Sequence, residues 1–160
     1  MQLRILCLSL GVVITLSLDN YGLNCFAQTQ PGTHFEKEFD EFGDITCEDE
    51  LARLDNFSVY LQNAPDTLGY IIVYGGRRGK RNEAKARAAR MKYYLTRARR
   101  LPARRIVTID GGYREEQTSE LWMSPPGDPA PLPTPTVKVK DVRLKGRVKI
   151  RGYSCGEGLG

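Results

Sequence analysis

Residues 68–97, LGYIIVYGGRRGKRNEAKARAARMKYYLTR, decide the fold of this chain. Leu68 to Tyr74 is an apolar, β-branched run of strand length, which predicts a strand buried on both faces. Gly75 to Lys80 reads as a loop. Asn82 is placed to cap a helix, and Glu83 suits the positive end of its dipole. Ala84, Ala88, Met91 and Leu95 then fall on one stripe, and the small alanines predict a helix lying close against a sheet. Arg87, Arg90 and Arg97 lie off that stripe, so their guanidinium groups are expected at solvent or at the helix margin.

The flanking segments extend this unit in both directions. Phe35, Phe39 and Phe42 among charges suit a partly buried strand ending at Gly43. Thr46 with Asp49 three residues on is a variant of the capping box. Leu51, Leu54, Phe57 and Leu61 recur at helical spacing until Gln62-Asn63, ahead of Pro65. Leu101-Pro102 ends the second helix, and RIVTID (105–110) predicts a third strand turned by Gly111-Gly112. SELWM (119–123) predicts a fourth, with Trp122 as an anchor. The expected fold class is α/β, with two helices on one face of a mixed sheet of about four strands, over residues 34–124. Residues 125–136 read as a proline-rich linker. Residues 137–155 (VKVKDVRLKGRVKIRGYSC) alternate apolar and basic positions, which predicts a basic hairpin turning at Lys145-Gly146; a disordered basic tail is the alternative.

The first residues set the compartment. MQLR is a positive lead, Ile5 to Leu18 is an apolar core too short to span comfortably, and Cys25-Phe26-Ala27 offers small residues before Gln28. Residues 1–27 are therefore expected to be a cleaved signal peptide, leaving no transmembrane segment. An uncleaved anchor is the alternative, and a lipidated Cys25 is weakened by Asn24. Cys47 and Cys155 remain as an even pair in an oxidising compartment; one disulfide between them or two separate thiols are the options. With His34 as the single histidine and no CxxC, neither a metal nor a cofactor is expected.

Charge is unevenly spread within a net +5. Residues 36–50 are strongly acidic, whereas Arg77 to Arg105 hold thirteen Lys or Arg against the single Glu83. This polarity allows the acidic segment to dock on the basic one, or a basic face to meet an anionic partner. Export excludes nucleic acid as the expected partner and leaves cell-wall polymer, anionic lipid or an acidic envelope protein.

Catalytic motifs fail residue by residue. A Walker loop needs a glycine where Tyr74 stands and a hydroxyl where Arg81 stands. His34 has no orienting group, and no GxSxG occurs. Asp110 with Glu115 or Glu116 could be a carboxylate pair, but turn chemistry explains Asp110 more simply. The expectation is a non-enzyme.

Arg87-Ala88-x-x-Met91-x-x-Tyr94-Leu95, followed by Leu101-Pro102-x-Arg104-Arg105-Ile106, resembles the helix and following strand of the OmpA-like family. Phe39-Asp40, Leu51 with Leu54, and LGYIIVYGG extend the likeness over residues 34–124. The resemblance implies a bacterial periplasmic or outer-membrane-associated module that binds peptidoglycan non-covalently. It implies that Arg87 holds the diaminopimelate of the stem peptide, opposite an aspartate in the second strand–helix loop. That loop departs from the family, because GHTD reads here as Gly75-Gly76-Arg77-Arg78. The expected contact surface is thus Arg77, Arg78, Asn82 and Arg87, and the expected partner is cell-wall glycan or stem peptide. The alternative is a degenerate scaffold contacting an acidic envelope protein as an interaction or structural module.

Overall fold

The computed structural model describes residues 37–149. The chain divides into two compact units, Met1–Gly32 and Thr33–Gly160, and the described residues all belong to the second. Elements follow in the order β1 (Lys37–Phe42), α1 (Cys47–Asn63), β2 (Leu68–Gly76), β3 (Arg78–Arg81), α2 (Glu83–Arg97), β4 (Ile106–Arg114), β5 (Thr118–Ser124) and β6 (Arg143–Arg147). Four strands form a mixed sheet in the order β1-β5-β2-β4, with β2 parallel to β4 and β5 antiparallel to both its neighbours. The expected α/β class, with two helices on a mixed four-stranded sheet, is what the chain adopts.

Alternation along β2 explains the layering. Ile71 and Val73 point to the helices and join Leu54, Phe57, Leu61, Ala88, Met91, Leu95, Ile106 and Leu121 in one core. The approach of α1 is close: a Cβ on Gly69 would lie 2.7 Å from Leu61 Cδ1 and 3.0 Å from Phe57. Thr46 caps α1 as its sequence predicts, accepting from the Asp49 amide at 3.2 Å. No basic residue lies in the last turn of α1, and Arg105 serves instead. Its guanidinium donates to the carbonyls of Leu61 and Ala64 at 2.7 Å and of Thr67 at 2.9 Å.

A bulge between Glu38 and Asp40 shifts the β1 register. It lets Phe39 and Phe42, three residues apart, both pack on the helix side.

Tyr70, Ile72 and Tyr74 point to the opposite sheet face and are buried all the same. Residues 125–136 return across this face as a strap. The Thr134 amide donates to the Tyr74 hydroxyl at 3.1 Å, and Arg114 donates to Thr134 Oγ1 at 2.8 Å. Ser124 Oγ donates to the Pro129 carbonyl at 3.3 Å. The strap ends where the Thr136 and Val137 amides both donate to the Tyr113 carbonyl.

Four local expectations need correction. Gly75-Gly76 belong to β2, and Arg78–Arg81 form β3, so this stretch is not a loop. Gly111-Gly112 lie inside β4 rather than turning it. At Gly111 a Cβ would stand 2.5 Å from the Tyr74 ring, so the glycine makes room for that aromatic. Asn82 takes a left-handed conformation, φ 65°, and makes no side-chain cap to α2. Finally, Lys145-Gly146 is not a hairpin turn: β6 pairs in parallel with β3, over 60 residues away in sequence. The second arm expected beyond Lys149, Cys155, and the signal segment lie outside the described residues. Cys47 is disulfide-bonded.

Candidate functional site

Two arginine pairs define the β3–β6 ribbon. Arg78 stands opposite Arg143 and Arg81 opposite Arg147, with Gly79 opposite Leu144 between them. Like charges on directly paired positions repel, so this ribbon is assembled against local electrostatics. It is held by its continuity with β2 through Arg77. The Arg77 amide donates to the Glu115 carbonyl at 3.1 Å, and its guanidinium meets the Glu115 carboxylate at 2.9 Å. Backbone bonds from Arg143 to Arg77 and from Val148 to Arg81 tie in the other strand.

The ribbon borders a cleft of about 490 Å³ lined by Asp44, Arg78, Gly79, Lys80, Glu83, Arg143 and Lys145. A second cavity of about 390 Å³ is lined by Arg77, Arg78, Lys140, Asp141 and Arg143, so the Arg78–Arg143 pair belongs to both. Among the described residues Arg78, Arg143 and Lys145 carry no salt bridge. Glu83 shapes the cleft floor: its Oε2 accepts from the Lys80 amide at 2.9 Å. The oxygen comes close to Gly79, where a Cβ would lie 2.5 Å from it and push the Glu83 side chain aside.

Arg87 sits behind this cleft rather than in it. It is 4% exposed, which corrects the expectation that its guanidinium reaches solvent. Nη2 donates to Asp44 Oδ1 at 2.6 Å, Nη1 to the Gly43 carbonyl at 3.3 Å, and Nη1 lies 3.8 Å from Glu50. Its Nε finds no acceptor among the described residues. Asp44, by contrast, keeps 72% of its side chain exposed and lines the cleft. The buried arginine therefore presents an exposed carboxylate to the cleft.

Glu50 completes the arrangement from below. It is 1% exposed and receives Arg90 in bidentate fashion, at 3.0 Å and 2.6 Å. One buried carboxylate on α1 thus holds two arginines of α2. The docking of the acidic segment on the basic one that the charge distribution suggests occurs here, through Asp44 and Glu50 on Arg87 and Arg90.

Of the expected contact residues, Arg78 lines the cleft, Arg77 the adjoining cavity, Asn82 shapes the start of α2, and Arg87 is internal. Sequence reasoning missed Asp44, Arg143 and Lys145. Asp44 was one acid in an acidic run, and the two basic residues were assigned to a hairpin. Glu50 had a readable signal, because Glu50, Leu54, Phe57 and Leu61 keep helical spacing and share burial.

Among the described residues no group of three metal-ligating side chains occurs, and no helix is long and apolar enough to cross a membrane. No protein-family model, curated protein or solved structure matches this chain.

Proposed function

We propose that this protein is a non-enzymatic module of the bacterial envelope, periplasmic or outer-membrane-associated, that binds a carboxylate-bearing wall component in the cleft beside β3 and β6. The peptidoglycan stem peptide is the candidate ligand. The observation that supports this most is the in-register Arg78–Arg143 pair facing a cleft without a carboxylate partner for either. An anion between two such arginines relieves their repulsion, and guanidinium forks bind carboxylates in bidentate geometry.

The exposed Asp44 carboxylate adds a second polarity. A ligand with both an ammonium and a carboxylate group would set the first on Asp44 and the second on Arg78, Arg143 or Lys145. The resemblance to OmpA-like domains implies a loop aspartate that this chain lacks between Gly75 and Arg78. Asp44, brought from the β1–α1 connection and held by Arg87, is the carboxylate this reading assigns to that role. In this reading Arg87 is a positioning residue.

Cosedimentation with purified sacculi tests the proposal. Binding is expected at low salt and should weaken steeply toward ~0.5 M NaCl, where screening is strong. The Arg78→Ala/Arg143→Ala double variant should bind about tenfold more weakly, from the loss of two charged contacts. Absence of sedimentation at low salt would overturn wall binding, and full binding by the double variant would overturn the cleft.

A further inference from the structure

The sheet ends at β4, and that edge has a different chemistry from the cleft. β4 pairs with β2 on one side. On its other side, among the described residues, it is met only at Tyr113, through the bridge to Val137. After Val137 the chain turns into a 3-10 segment, Val139–Asp141, and leaves the edge. Ile106 to Gly111 therefore present an edge without a neighbouring strand over about 20 Å, and the Gly112 amide is already taken by Asp110 Oδ1 at 3.0 Å.

A groove of about 610 Å³ runs beside this edge, between β4 and α2. Thr108 and Ala89 give it a floor of small groups, and the half-exposed Tyr93 stands at its side. Lys85, Lys92 and Arg97 outnumber the single carboxylate of the lining, Asp110, and none of the three carries a salt bridge among the described residues. Lys85 and Lys92 are about 10.5 Å apart along the helix axis. Same-face positions of a strand recur every ~6.7 Å, so both flexible lysines can reach carboxylates on one face of an added strand.

We infer that this edge and groove form a docking site for an extended acidic peptide, which adds as a fifth strand to the sheet beside β4 and turns its carboxylates toward α2. Main-chain hydrogen bonds to Ile106–Gly111 would supply affinity, and Lys85, Lys92 and Arg97 would select acidic side chains. The chain itself uses the same edge this way at Tyr113, whose carbonyl takes the Thr136 and Val137 amides. A second copy of the chain is the less suitable occupant. Pairing β4 with β4 would bring two sets of Lys85, Lys92 and Arg97 together, and like charges across such an edge repel.

The probe is an acetylated, amidated heptapeptide, Thr-Glu-Val-Glu-Val-Glu-Thr, titrated into the full-length protein by fluorescence anisotropy. Its alternation puts every glutamate on one face. Binding is expected, with amide exchange slowed within residues 106–111. Lys85→Glu/Lys92→Glu should weaken it about tenfold or more, and the Lys-for-Glu peptide should not bind. N-methylation of alternate peptide amides should abolish binding, because strand addition needs those donors, whereas simple charge attraction does not. Equal binding of the N-methylated peptide, unchanged exchange in β4, or dimerisation through β4 in place of peptide binding would each overturn the inference. Arg78→Ala/Arg143→Ala should leave this titration unchanged, so the edge and the cleft stand or fall separately.

Discussion

Glu38 lies at the margin of the strap-side sheet face, beside Glu41, Glu120 and Arg114. Its carboxyl pKa is raised above the ordinary 4.5, first by desolvation and then by the like charges of Glu120 and Glu41; Arg114 opposes the shift. A carboxyl whose pKa is higher folded than unfolded binds its proton more tightly in the native state. Its stabilising contribution is present below the unfolded pKa and is lost as pH rises through the folded one. Glu38→Gln removes the charge and keeps the shape. It should therefore raise the urea midpoint at pH 7 and leave it nearly unchanged at pH 3.5. A variant less stable than wild type at pH 7 would mean that Glu38 gains more from Arg114 than it loses to Glu41 and Glu120.

At the scale of elements, the α1–α2 contact turns on Glu50, which faces Arg87 and Arg90 with almost no exposure. Glu50→Ala leaves the 4%-exposed Arg87 with Asp44 as its one carboxylate among the described residues, and Arg90 without its bidentate partner. Breaking a buried pair from one side costs about 3 kcal/mol, so chemical denaturation should show a loss of that order. The Asp44 end should feel it too, with sacculi binding weakened because Arg87 no longer has a fixed seat. Unchanged binding in a folded Glu50→Ala variant would detach Arg87 from the cleft. The helices and the four main strands were legible because their signals are local: Thr46 as a cap, LGYIIVY as a buried run, alanines at helical spacing. The ribbon was not. β3 and β6 are strands of four and five residues, and their register is set by tertiary pairing between segments far apart in sequence. The alternation in 137–149 was real, but Asp141 closes a 3-10 turn and Lys145-Gly146 lie inside β6, which is taken up by parallel pairing with β3, so they do not turn a hairpin. The cleft inherited that blindness, since Arg143, Lys145 and Asp44 join it only through long-range contacts.

The described residues form three layers, helices, sheet and strap, and the third depends on an unusual covering material. Six of residues 125–136 are proline. Proline has no amide hydrogen, so this segment can lie on a sheet face while leaving few donors unsatisfied, and its restricted backbone loses little entropy on docking. Arg114 fastens it. The guanidinium stacks 3.7 Å above the Tyr74 ring, bonds Thr134 and meets both Glu41 and the buried Glu120. Its pKa stays above the ordinary arginine value: burial lowers it, and the Glu120 hydrogen bond and charge more than offset that. Glu120 also accepts from the Tyr74 hydroxyl at 3.1 Å and from Trp122 at 2.9 Å, so removal of Arg114 would leave a buried carboxylate with neutral donors alone. Arg114→Ala should cost about 3 kcal/mol and, more tellingly, should speed amide exchange at Thr134, Thr136 and Val137 ahead of exchange in α1 and α2. Limited proteolysis near Leu132, already 84% exposed, should accelerate with it. Arg114→Lys, which keeps the charge without the planar fork, should fall between the two. If exchange across residues 134–137 rises no faster than in the helices, the strap is held by the Tyr113 contacts and its own prolines, and Arg114 serves only to neutralise Glu120.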